Sequence, residues 1–286
     1  MHSQQQYDRI FSVELFPPRT QAGFEKLQQN VGELQSVSPA FFSVTYGAGG
    51  STRERTFQTV DWLKNAGIAT APHISCIGSS RDEISAMLER YVTQGINRLV
   101  ALRGDLPSGS GLGELEELRY ANELVEFIRE TTGDHFHIEV AAYPEYHPQA
   151  PSPAADLANF KRKVEAGADS AITQYFYNAD AYCNFVDSCE KAGISIPVVP
   201  GIMPITNYVQ LARFSDATGA EIPRWIRKKL EAFGDDLESL RIFGEEVVTN
   251  LCRKLLDAGA PGLHFYTMNQ SGPTLKIWKN LGLEGL

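Results

Sequence analysis

Strand-like and helix-like patterns alternate along this chain until eight strand segments have passed, spaced by roughly 30 residues, and few architectures accept such a rhythm. The fourth segment shows the type. Leu99, Val100, Ala101 and Leu102 are apolar without alternation, as in a strand covered on both faces, and then the pattern breaks into Arg103-Gly104-Asp105. A parallel strand that delivers a cation and a carboxylate at its carboxyl end is building a site there. The other segments are residues 10–16, 41–46, 70–76, 137–143, 170–176, 196–201 and 262–267. Apolar residues at three- to four-residue spacing mark the helices between them, as with Phe24, Leu27, Val31 and Leu34. Ala-Gly pairs at 66–67, 166–167, 192–193 and 258–259 read as left-handed helix ends just before the next strand.

The sum is an α/β chain folded as a (β/α)8 barrel of the TIM type. Between the seventh and eighth strands the pattern supplies three helices, one after Thr206, one over 223–233 and a long one over 236–258, read as insertions. No low-complexity linker divides the chain, so residues 1–286 are expected to form a single domain, with about 1–8 loosely held. A doubly wound open sheet shares the alternation, but its Gly-rich dinucleotide fingerprint after the first strand is missing.

In such a barrel all carboxyl strand ends meet on one rim, where the site is built. Read in order, those ends give Glu14, Thr45 with Tyr46, His73, Arg103 with Asp105, Tyr143 with His147, Gln174, Gly201, and Tyr266 with Asn269. They should form a polar and aromatic ring over an apolar stack. Around Glu14 the neighbours Phe11, Val13, Leu15 and Phe16 predict desolvation, which raises a carboxyl pKa toward the range of a general acid. The cations Lys161, Arg162 and Lys163 suit a solvated helix face, or, if Arg162 or Lys163 turns toward Arg103, a pyrophosphate clamp.

Other chemistries fit less well. No strand end carries the lysine that a Schiff-base enzyme needs, and the rim has too few His and Asp ligands for a metal hydrolase. His135, His137 and Glu139 have a spacing zinc can use, but they sit at the amino end of their strand, so no metal is expected. The four cysteines lack paired spacing and read as buried, inert thiols. A net charge of −9 argues against nucleic acid and anionic membrane surfaces as partners, and the start of the chain lacks the pattern of a signal peptide. A cytoplasmic protein is expected. The rim inventory suits a large planar cofactor bearing phosphate, with one carboxylic acid to donate a proton.

Eight segments carry a resemblance to a known family: Phe16-Pro17-Pro18-Arg19 after Glu14, Ser43 to Ala48, Ala71-Pro72-His73, Ala101 to Pro107, Ala141 to Glu145, Ala171 to Gln174, Pro200-Gly201-Ile202 and His264 to Thr267. In this order they resemble methylenetetrahydrofolate reductase, in the short bacterial form. The resemblance implies FAD as cofactor, NADH or NADPH as hydride donor, and methylenetetrahydrofolate reduced to methyltetrahydrofolate by ping-pong transfer, supplying methyl groups for methionine synthesis. Position by position, Glu14 matches the general acid that helps open the folate ring, and Asp105 the carboxylate beside the flavin. Tyr46, Ala48, His73, Arg103, Gly104, Asp105, Ala121, Tyr143, His147, Ala150, Asp156, Asn159, Arg162 and Lys163 match FAD contacts. Thr45, Asp105, Gln174, Gln210 and Phe214 match substrate contacts.

Gln270 stands where the family usually has an arginine linked to folate binding, and the stretch 109–119 is longer and more acidic than the family pattern. A homo-oligomer, a tetramer in the family, is also implied. The competing readings are a barrel lyase or transferase acting on a phosphorylated metabolite, and a non-catalytic folate or flavin binder.

Overall fold

The computed structural model describes residues 1–46, 50–104 and 117–283. Nine strands form one parallel sheet: β1 Ile10–Leu15, β2 Phe42–Val44, β3 Thr70–Ser75, β4 Arg98–Leu102, β5 His137–Ala142, β6 Ser170–Thr173, β7 Val198–Val199, β8 Gly201–Ile202 and β9 Gly262–Tyr266. Their order, β7-β6-β5-β4-β3-β2-β1-β9-β8, closes on itself, because β7 and β8 are the halves of one stave. Pro200, which has no N–H to donate to a ladder, separates them. Before it, Ile172 pairs with Val199; after it, Gly201 pairs with His264. The eightfold barrel expected from the alternation is therefore the fold, with its seventh strand split.

Ten helices accompany the strands among the described residues: α1 Gln21–Leu34, α2 Gly50–Asn65, α3 Arg81–Thr93, α4 Ala121–Thr132, α5 Pro153–Glu165, α6 Ala179–Lys191, α7 Tyr208–Thr218, α8 Arg224–Phe233, α9 Leu237–Asp257 and α10 Ser271–Asn280. Polar caps start them where the sequence supplies them. The Thr20 hydroxyl accepts from Gly23 N, Ser80 and Glu83 form a reciprocal capping box, and Ser152 with Pro153 opens α5. The expected left-handed ends at Gly67, Gly167, Gly193 and Gly259 all have positive φ. Helices α7, α8 and α9 are the three insertions anticipated before the last strand.

Side-chain alternation sorts the strands into two environments. Val13, Leu15, Phe42, Val44, Ile74, Leu99, Val140 and Phe265 face outward into the layer of helices and belong to the main hydrophobic core. The inward set is different. Only Phe41, Ala71, Val100 and Ile172 form a small buried apolar cluster of their own. Around it stand Ser12, Ser43, His73, Glu139, Ser170 and His264, all buried. The apolar stack expected beneath the rim is thus mixed: near-continuous apolar segments such as 99–102 hide the fact that neighbouring strands turn polar residues inward.

The amino-terminal residues make specific contacts of their own. Residues His2–Gln6 form a 3-10 turn in which Gln4 is buried. Its amide accepts from Val198 N at 2.7 Å and donates to Ile196 O at 3.1 Å, bracing the split stave. Ser3 N donates to Glu190 Oε1 at 2.8 Å. These contacts tie the start of the chain to the seventh stave and to α6, and polar composition alone gave no sign of them.

Candidate active site

At the amino end of the barrel the potential zinc ligands are consumed elsewhere. Glu139 is buried; it accepts from Arg98 and from Ser170, and His137 Nε2 lies 2.7 Å from Ser170 Oγ. Burial pushes the Glu139 carboxyl up, but the hydrogen bond from His137 and the charge of Arg98 outweigh it and hold it below the usual range. The Arg98 guanidinium also lies 4.7 Å from the centre of the Phe41 ring, so this network plugs the barrel. His135 Nε2 instead meets Ile96 O at 3.0 Å. Among the described residues no group of three or more His, Cys, Asp or Glu could hold a metal.

At the carboxyl end Glu14 is the last inward-facing residue of β1. Its Oε2 lies 3.5 Å from His73 Nε2 and 3.8 Å from His264 Nε2, and the side chain is 20% exposed. Val13 and Leu15, expected to desolvate it, point the other way into the helix layer. Its surroundings are imidazoles, because the period of two that places Glu14 inward places Ser12 and His264 inward with it. Ser12 Oγ is 2.7 Å from His264 Nδ1, and Ser43 Oγ is 3.5 Å from His264 Nε2. These three residues were missed by reading strand ends alone. Stepping back two positions from Glu14, Thr45 and Tyr266 would have found them.

Burial lowers His73 from its ordinary value of 6.5 to about 4, against the pull of Glu14. The imidazole is therefore neutral near pH 7, and its Nε2 is buried without a hydrogen-bond partner. The backbone of Glu14 is pinned as well: Thr267 Oγ1 donates to its carbonyl at 2.6 Å. Asn269 then clasps Phe16 through both its N–H and its C=O, at 2.9 and 2.8 Å.

Across the mouth, Tyr266 donates to the Thr173 carbonyl at 2.7 Å. Glycine at 201 is required for this. A Cβ there would sit 2.1 Å from Thr173 O and 2.6 Å from Tyr266 Cε2. Gly104 makes a similarly close approach, at φ +88°, where a Cβ would meet Ser75 Oγ at 2.0 Å. That Ser75 hydroxyl donates to Arg103 O at 2.9 Å, fixing the exit of β4.

The remaining expected residues fall into groups along the rim. Tyr143 and His147 stack edge to face at 4.6 Å. Asp156, in the first turn of α5, accepts from His147 N at 3.0 Å, and Ala150 N donates to His147 O. Gln149 N donates to His147 Nδ1, which places the ring proton on Nε2, and Gln149 Oε1 accepts from Arg103 at 2.7 Å. Lys163, half-buried, donates to Ala141 O, and burial lowers it to about 8. Arg162 is exposed and holds Asn159 Oδ1 at 2.7 Å, while Lys161 pairs with Glu165 at 3.8 Å.

The Tyr46 hydroxyl accepts from Arg53, which also binds Glu83 and Ser79. Thr45 O accepts from Thr56, and Gln174 Oε1 accepts from Tyr175 N. Ala121 opens α4; Gln210 and half-buried Phe214 lie on α7; Gln270 is the exposed residue before α10. Asp105 and Ala48 lie outside the described residues, as does most of the stretch 109–119. None of the four cysteines forms a disulfide; Cys76 Sγ donates to Arg103 O at 3.3 Å, and Cys183 is half-buried where the others are buried. Burial pushes the Cys189 thiol up to about 12 and Cys252 up as well, as expected of inert thiols.

A parallel eightfold barrel with a carboxylate, two imidazoles and a phenol converging at its carboxyl rim has the arrangement of a barrel enzyme's active site. The comparisons narrow that class. The methylenetetrahydrofolate reductase family matches residues 1–282. The 5,10-methylenetetrahydrofolate reductase of Escherichia coli is 41% identical over 274 residues, covering 96% of this chain and 90% of that one. Methylenetetrahydrofolate reductase (NADH) 1 of Arabidopsis thaliana is 38% identical over 98% of this chain but 49% of its own length.

Among solved structures, a protein from Clostridium thermocellum that binds two copies of 5-methyl-5,6,7,8-tetrahydrofolic acid superposes with a TM-score of 0.69. The match covers 99% of this chain and 96% of that one, at 15% identity, and bears on the fold alone. The chain belongs to the methylenetetrahydrofolate reductase family. It is an oxidoreductase, and its reaction is the reduction of methylenetetrahydrofolate.

Proposed function

We propose that the barrel mouth holds FAD and that the chain uses it to carry hydride from NADH or NADPH to methylenetetrahydrofolate in two alternating half-reactions, yielding methyltetrahydrofolate for methionine synthesis. The observation that carries this reading is Glu14, seated between His73 and His264 beneath the rim. The donor set fits the cofactor. His73 Nε2 is a shielded, partnerless polar atom, and Arg103, Arg162, Asn159 and half-buried Lys163 offer the charge and hydrogen bonds that a pyrophosphate needs. Tyr46, Tyr143, His147, Ala150, Asp156, Gly104, Ala121, Ala48 and Asp105 complete the set. FAD, when bound, supplies a carrier that accepts a hydride from one substrate and releases it to the other.

The residues of the chain do the rest. Glu14 delivers a proton to the folate nitrogen that leaves as the five-membered ring opens, which makes the one-carbon unit an electrophile for hydride. Asp105 lends its charge to the cation so formed. Thr45 and Gln174 orient the nicotinamide donor, and Gln174, Gln210, Phe214 and Gln270 hold the folate. This reading also puts the protein in the cytoplasm as a homo-oligomer, a tetramer by family resemblance; light scattering of purified protein measures that number.

Purified protein should be yellow, and Glu14→Gln should abolish folate reduction while flavin bleaching by NADH continues at near the wild-type rate. Colourless protein that gains no visible absorbance with added FAD overturns the cofactor. Survival of both half-reactions in Glu14→Gln overturns the role of that carboxyl.

A further inference from the structure

Away from the mouth, the outer layer is open between α1 and α2. A groove of about 540 Å³ lies there, with Arg19 and Arg55 in its lining. Phe24 and Trp62 meet edge to face at 5.7 Å and form its aromatic side, and the amides of Gln28 and Gln58 line the rest. The chain as a whole carries a charge of −9, yet this groove is cationic. Its carboxylate, Asp61, is already engaged by Arg90 at 2.7 Å and by Gln94 at 2.7 Å. Neither Arg19 nor Arg55 has a side-chain hydrogen bond or ion pair among the described residues. The Nε of Arg55 is shielded from water with no acceptor at all. Two guanidiniums without side-chain partners on one groove give it a standing attraction for an anion, which their remaining N–H groups can bind.

We propose that the groove between α1 and α2 is a second ligand site, separate from the barrel mouth, for a planar aromatic molecule carrying phosphate or carboxylate groups. The two guanidiniums take the anionic end, because a guanidinium fork matches both anions through paired hydrogen bonds. The ring lies against Trp62, whose face also attracts positively polarised ring edges. Amide side chains on both helices read the polar edge of the ring. Nucleotides and aminobenzoylglutamate compounds share this chemistry, and the groove does not distinguish them by charge. The site is tied to the catalytic strand by chain connectivity, since Arg19 follows Glu14 by five residues through Pro17-Pro18. The proposal stands independently of FAD binding at the mouth.

The test uses FAD-loaded protein with two probes, ADP and p-aminobenzoylglutamate, each titrated calorimetrically and followed by hydrogen exchange. Either probe should protect peptides covering 18–28 and 55–65 together, and the probe that does so identifies the source of the anion. Arg19→Ala with Arg55→Ala should weaken that binding about tenfold or more and abolish the paired protection, since each charge-assisted contact is worth about a factor of ten. Arg55→Gln, which puts a neutral amide N–H donor in place of the guanidinium and removes the charge, serves if the double variant does not fold, and should weaken binding in the same direction. Absence of paired protection by both probes at millimolar concentration overturns the site, as does undiminished binding in a folded variant.

Discussion

Replacing His73 tests whether the imidazole beside Glu14 is as dry as its packing requires. Burial lowers this group from 6.5 to about 4 in the folded chain, while the unfolded chain keeps the ordinary value. The unfolded state therefore binds the extra proton first as pH falls. Stability that is fully present above pH 6.5 is lost progressively between 6.5 and about 4, and constant below that. The whole interval is worth about 3 kcal/mol, of which about 2 kcal/mol is gone by pH 5. The groups facing the ring are Glu14 and His264, and both remain in a His73→Asn variant. Urea unfolding of wild type and variant at pH 8, 7, 6 and 5 isolates the contribution of this cluster, because titrating groups remote from the ring cancel in the difference. The wild type should lose about 2 kcal/mol more than the variant between pH 8 and pH 5. Parallel pH dependences would mean that His73 is solvated or protonated in the folded chain, and would refute the dry imidazole.

Three further outcomes follow from the geometry. Gly201→Ala forces a Cβ against Thr173 O and Tyr266; overpacking plus loss of the Tyr266 hydrogen bond should cost about 2–4 kcal/mol in urea unfolding, with Tyr266→Ala relieving only part of it, since the clash with the Thr173 carbonyl remains. Arg98→Met strands the buried Glu139 carboxylate and should destabilise by about 3–5 kcal/mol, a loss that adding Glu139→Gln partly restores. Gln270→Arg places a guanidinium at a position assigned above to folate binding, and steady-state kinetics should show KM for methylenetetrahydrofolate falling several-fold with kcat little changed.

What could be read from the chain itself was whatever depends on local pattern. Strand-helix alternation announces the barrel, and even the three inserted helices, because amphipathic spacing survives in any tertiary setting. The rim positions of Glu14, His73 and Tyr266 follow from strand ends alone. The inside of the barrel did not follow. Ser12, Ser43 and His264 sit among apolar residues that serve the opposite face, so a segment such as Phe41 to Val44 reads as a buried strand without showing that its one hydroxyl faces an imidazole inside the barrel. The buried start of the chain was opaque for a different reason. Gln4 is buried by hydrogen bonds to a strand 194 residues away, and polar residues carry no pattern that reveals such a partner.

That brace has a consequence for how the polypeptide comes off the ribosome. The Gln4 amide finds Val198 only after two thirds of the chain has been made, and the far edge of β1 waits still longer for β9. Until then a hydrophobic strand with unpaired backbone groups is open to the surrounding solvent, where it can pair with other chains instead. Folding yield in translation should therefore depend on factors that shield the first strand, and dilution or slower synthesis should recover protein that fast overproduction loses to aggregates.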